Sequence, residues 1–124
     1  MAATFDVSVI AELTGLGKDQ VFTDKGTDGT TPTAGSYMYR VLGTADTEEA
    51  LDLGDVSTVT CVIIRAIDYD LDVDLDYAAA TFNTDFTLAA GEISAVIPTP
   101  VLVYVKNNGA GETPAYEYLV VGTT

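Results

Sequence analysis

The chain has no histidine and no tryptophan, a single cysteine, and only 5 lysines and arginines against 19 aspartates and glutamates. Without imidazole there is no Ser-His-Asp triad, no His-ligated zinc and no histidine proton switch. Cys61 cannot close an internal disulfide, and its apolar strand-like surroundings mark it as a small core residue. A formal charge of −14 repels nucleic acid and anionic membranes, and five cations are too few for a basic patch. No apolar run approaches the ~18 residues of a membrane span. The opening MAATFDVSVIAEL lacks a basic leader. Neither membrane nor nucleic acid is therefore expected as a partner. Gly15, Gly17, Gly26 and Gly29 stand in spacings unlike a phosphate-binding loop.

What remains is apolar and strand-like. Hydrophobic residues make up 48% of the 124, with seven tyrosines, which argues for one folded, soluble domain rather than a disordered acidic chain. The most informative stretch is Val59 to Tyr77. It begins as an apolar run, Thr58 to Ile64, expected to be a central strand covered on both sides, with Ile63 in the core. Ile63→Asp is accordingly expected to abolish folding. It continues as a strict alternation: Ile67, Tyr69, Leu71, Val73, Leu75 and Tyr77 on one parity, Asp68, Asp70, Asp72, Asp74 and Asp76 on the other. Period two predicts an extended strand with an oily face and a carboxylate row, following a bulge or tight hairpin at Ala66-Ile67. Neighbouring carboxylates on such a strand lie about 6.7 Å apart and repel by about 0.6 kcal/mol in water. A solvated face tolerates that, so the row is expected to face solvent or a basic partner and to do no chemistry. Asp70, Asp72 and Asp74 are weak divalent-ion candidates. An EF-hand is excluded, because its sixth position is Leu75 rather than glycine and its twelfth is Thr81 rather than glutamate.

Strands are also expected at Thr4–Leu13, at Gln20–Thr23, at Ser36–Gly43, from Phe82 to Leu88, at Ile93–Ile97, at Val101–Lys106 and at Ala115–Gly122. Pro98-Thr99-Pro100 cannot lie inside a hydrogen-bonded sheet. Asn107-Asn108-Gly109 carries hairpin-turn residues, and Asp24–Gly35 reads as a surface loop. Asp46–Gly54 fits either a strand or a capped helix, the strand being favoured. The segments Tyr37–Thr44 and Tyr116–Thr123 share a YxYxVφGT pattern. Either they meet similar neighbours, or they occupy equivalent edges or pair with each other. The expected fold is a single-domain antiparallel β-sandwich, jelly-roll-like, with eight or nine short strands over residues 1–124. Residues 1–12 would form its first strand or a docking arm. No pair of carboxylates stands out for acid–base catalysis, so no enzyme activity and no cofactor are expected.

From Leu51 onward, a series of segments resembles small structural proteins of tailed-bacteriophage virions. They are Leu51–Asp55, Val62–Asp68, Phe86–Glu92, Ile97-Pro98 and Tyr116–Gly122. Such proteins repeat a φφφRNxD strand and an LxAGE…P turn within a β-sandwich; here Ala66-Ile67 stands where the pattern has asparagine. The resemblance implies a non-catalytic virion component assembled in the host cytoplasm. It would be a capsid decoration (cement) protein bound to the major capsid protein or other virion subunits, in a symmetric homo-oligomer or array. A tail or fibre component is the alternative within that class, and a carbohydrate-binding sandwich the alternative outside it. Docking is expected to use the segment Ala2–Glu12 or the Asp24–Gly35 loop, with Phe5, Val7, Val9, Asp28 and Thr30 as candidates, because both lie outside the stretch carrying the resemblance.

Overall fold

The computed structural model describes residues 3–27, 30–96 and 102–124; Asp28 and the Pro98-Thr99-Pro100 segment lie outside them. Ten strands follow in order: β1 Asp6–Leu13, β2 Gln20–Thr27, β3 Ala34–Val41, β4 Glu49–Ala50, β5 Thr58–Ala66, β6 Leu71–Asp74, β7 Phe86–Leu88, β8 Ile93–Val96, β9 Tyr104–Asn107 and β10 Ala115–Thr123. No helix occurs among the described residues. Eight strands form two four-stranded sheets, β3-β10-β5-β8 and β4-β9-β6-β7, with every ladder antiparallel. Counted from β3, these orders are 1-8-3-6 and 2-7-4-5, so chain neighbours alternate between the sheets except β6 and β7, which pair within one, an order compatible with a jelly-roll sandwich. β1 and β2 pair only with each other.

The two sheets are held by one apolar layer. Val62, Ile64 and Ala66 of β5, Val120 of β10, Leu71 and Val73 of β6 and Val105 of β9 are all fully buried. Each such aliphatic side chain contributes about 1.5–3 kcal/mol by leaving water. β5 is central, as its apolar run predicts, but Ile63 is only half-buried. The opposing sheet covers one face of β5, and Ile63 points to the other, so Ile64 occupies the core position expected of Ile63. Cys61 is buried. The register of β10 against β5 slips between Val121 and Gly122, so that Cys61 faces Val121 while Gly122 faces Val59. This bulge lets Val59 join the core three residues before Val62. It also presses Gly122 onto the Thr58 carbonyl, where a side chain has no room.

The alternating segment is a strand only over Leu71–Asp74. Its ends are bent by its own aspartates. Asp68 accepts the Ala115 N–H at 2.7 Å and Asp70 the Ala90 N–H at 3.0 Å, tying loops across the top of the sandwich. Ile67–Asp70 therefore crosses from one sheet to the other instead of making a tight hairpin. The carboxylate row is broken too, because Asp74 is fully buried. Asn107-Asn108-Gly109 does not form a hairpin, since β9 and β10 belong to different sheets; the positive φ falls at Gly111 instead. Around Asp46 the chain is neither helix nor long strand. Its carboxylate accepts Asn107 Nδ2 at 2.7 Å and the Gly111 N–H at 3.1 Å, which holds the carboxyl below its ordinary pKa, and β4 is two residues long. β2 runs to Thr27, four residues into the expected loop, and Phe82 lies outside β7. The two YxYxVφGT segments pair directly, with Tyr116 opposite Arg40 and Tyr118 opposite Met38.

Candidate docking interface

β1 and β2 make a hairpin of eight paired positions, Asp6 opposite Thr27 through Leu13 opposite Gln20. Gly15 and Gly17, both at positive φ, shape the turn between them. Register fixes its two faces. Val7, Val9, Ala11 and Leu13 share one with Phe22, the partner of Ala11; Asp6, Ser8, Glu12, Thr23 and Lys25 lie on the other with Ile10 and Val21. At the root, Thr27 Oγ1 donates to Asp6 at 2.7 Å and Lys25 Nζ to the same carboxylate at 3.5 Å, lowering the Asp6 pKa, the threonine bond being the larger cause.

Among the described residues no second layer covers the apolar face. Val9, Leu13 and Phe22 are exposed, and Leu16 at the tip is 80% exposed. Among the described residues, six of the twelve large exposed hydrophobics fall between Val9 and Phe22, with Ile10 and Val21 on the hairpin's other face. Scattered apolar surface is ordinary, but a contiguous strip on a protruding element marks an interaction site. Of the sequence candidates, Val9 is on this strip and exposed, Val7 is on it and half-buried, and Phe5 is half-buried at the arm's root; Thr30 is exposed, beyond the hairpin. Phe5 lines a shallow cleft with Pro32, Gly35, Leu119 and Val121, so the arm leaves the body along the outer face of β3 and β10. The sequence reading missed Leu13, Leu16 and Phe22; alternation in Gln20–Thr27 is too weak to announce a full strand.

A second open surface is the outer face of the β3-β10-β5-β8 sheet. Tyr37, Leu119 and Ile63 are aligned across three strands, and beside them run Tyr39, Glu117, Arg65 and Ile93. Tyr37, Tyr39 and Ile93 are exposed. Glu117 accepts the Tyr37 hydroxyl at 2.5 Å and Arg65 Nη1 at 3.2 Å; the two hydrogen bonds depress its pKa, while that of Tyr37 rises because its proton is held by a carboxylate.

The ion candidates Asp70, Asp72 and Asp74 are not brought together. Asp72 accepts Thr87 Oγ1 at 2.6 Å and Asn108 Nδ2 at 3.1 Å, while Asp74 accepts the N–H groups of Asp76 at 3.0 Å and Asn83 at 2.8 Å. Neutral donors meet these carboxylates, a hydroxyl and a side-chain amide at Asp72 and two backbone amides at Asp74. Asp74 instead meets Asp76 and Asp85, with one oxygen of each within 4.8 Å of the others. The Asp85 charge is the main reason that the Asp76 pKa is raised. No protein-family model, curated protein sequence or solved structure matches this chain.

Proposed function

We propose that the protein is a non-catalytic structural subunit of a tailed-phage virion, a capsid decoration (cement) protein whose attachment to the assembled head requires its β1–β2 arm. The observation that carries this reading is the arm: eight paired residues on each strand, hydrogen-bonded to each other, with an apolar face that no other described residue covers. A lone two-stranded hairpin is marginal in water, so a protein that keeps one stabilises it with something outside the subunit. Repeated subunits on a symmetric shell supply such surfaces, and the major capsid protein is the partner of the shell itself. The compact acidic sandwich behind the arm suits a passive unit with no need of nucleic acid or cofactor. Imaging intact particles carrying the parent chain or a chain lacking residues 6–27 tests this. Regular density on the head that disappears with the deletion is expected. Density on the tail would make it a tail or fibre component, and no density for either chain would overturn the proposal.

A second reading is a carbohydrate-binding module. It is favoured by Tyr37 and Tyr39, which stand two residues apart on one sheet face, both more than half exposed, beside Arg65 and Glu117. The absence of tryptophan weighs against it. Oligosaccharide titrations that lose their signal in Tyr37→Ala would favour the sugar reading over the structural one.

A further inference from the structure

We infer that the arm's partner is a second copy of this chain, and that the apolar face of β1–β2 packs on the outer face of a neighbour's β3-β10-β5-β8 sheet. This rests on the structural-subunit reading and names the surface that the arm needs. Both halves of the contact are on one chain, and among the described residues no second layer covers either, although Ile63 and Leu119 are half-buried. The arm offers Val9, Leu13 and Phe22; the sheet offers Tyr37, Ile63, Leu119 and Ile93. Their shapes agree. The arm is a two-stranded ribbon about 27 Å long, and three adjacent strands of the sheet present a band about 10 Å wide, so the two can stack as sheets do in a sandwich. The chain's own Phe5 lines a cleft with Gly35, Leu119 and Val121 at one end of this face.

Charge and area point the same way. Residues 3–27 carry four acids and two lysines, a net of −2, whereas residues 30–124 carry 14 acids and three cations, a net of −11. Contact between two bodies therefore meets more repulsion than contact between an arm and a body. The one charge within the arm's apolar strip is Asp24, opposite Val9, and the sheet face carries Arg65 already paired with Glu117 at 3.2 Å, a balanced pair that adds no net repulsion to the arm. Covering about seven apolar side chains buries on the order of 800 Å², and reciprocal exchange in a closed pair doubles this to the size of a standard stable interface. Exchange of one element between identical copies creates both contacts from one sequence.

The test is sedimentation equilibrium on the purified full chain, with Phe22→Asp altering the arm and Leu119→Asp altering the face. The parent is expected to associate, and each variant to weaken association at least ~30-fold, the scale of an interface hot spot. Neither residue is in the core cluster, and thermal melts of both variants check that the sandwich is retained. The deciding measurement is the mixture. Phe22→Asp keeps an intact face and Leu119→Asp an intact arm, so a one-to-one mixture regains one arm–face contact and associates more tightly than either variant alone. A monomeric parent, or association indifferent to Phe22→Asp, would overturn the inference. So would a mixture no better than its components, since arm–arm or face–face pairing gives no rescue. Because no particle is involved, a monomeric parent that still decorates heads would sink this inference and leave the proposed function standing.

Discussion

β1 and β3 are both eight residues long, both alternate in sequence, and each pairs antiparallel with a later strand; yet their environments differ. β3 alternates between half-buried and exposed, with Met38 packed against the core, whereas β1 has only Val7 half-buried. Alternation makes a strand amphipathic, but burial requires a second layer. β3 has one in the opposing sheet, and β1 has none among the described residues. Stability should therefore reside in the sandwich and association in the arm, and substitutions can separate the two.

The largest effect should come from Ile64→Asp, which places an unpaired carboxylate at a fully buried position and should abolish cooperative unfolding. Ile63→Asp, one residue away on the open face, should still fold and melt cooperatively. A soluble, cooperatively melting Ile64→Asp protein would break the division. Next, Gly122→Ala should cost more than about 3 kcal/mol in denaturant titrations, because the new methyl meets the Thr58 carbonyl and the Val56 side chain at the bulge.

Asp74→Ala should cost about 2–4 kcal/mol, since it leaves the Asp76 and Asn83 amides without their acceptor in a buried site. Equal behaviour of Asp74→Ala and of an alanine at exposed Asp70 would contradict that assignment. Deleting residues 6–27 should change the free energy of unfolding, measured at concentrations where the parent is monomeric, by no more than about 1 kcal/mol, because no arm residue belongs to the core. A large loss would mean that the arm stabilises its own body.

The smallest effect concerns Asp76. Its pKa is raised by Asp85 first, with hydrogen bonding to Asp74 and desolvation adding to it. The folded state then holds the Asp76 proton more tightly than the unfolded chain. The favourable contribution is present below the unfolded carboxyl range, near 4, and is lost as pH rises through the folded pKa. Asp76→Asn should therefore raise the melting temperature at pH 7 slightly and leave it unchanged at pH 3. An equal shift at both pH values would show that charge repulsion is not the cause.

Much of the sandwich was legible because period two is written into the chain. Leu71 and Val73 alternate with acids and are buried, the Ala89–Glu92 turn closes with the Glu92 N–H on the Ala89 carbonyl, and the repeated tyrosine pattern falls on two strands that pair. The aspartates were misread because alternation tells which parity is polar but not whether a distant amide will meet it. Ala115, Ala90 and Asn83 lie 47, 20 and 9 residues from the carboxylates that accept their N–H groups. Asp85 could not be associated with Asp74 and Asp76 for the same reason. In the arm, Val7 and Val9 were visible from local alternation, whereas Leu13 and Phe22 emerge only from the register of β1 on β2.

The sequence by itself determined that the chain would be all-β, acidic and built round an apolar layer, because strand periodicity and composition are local properties. Only the tertiary structure decided which isoleucine of Ile63-Ile64 is inside, which aspartates are tied to amides, and that the first two strands stand apart from the sandwich. Those outcomes depend on which surfaces meet across long loops, and a single strand's pattern of apolar and polar residues is the same whether or not a second layer arrives to cover it.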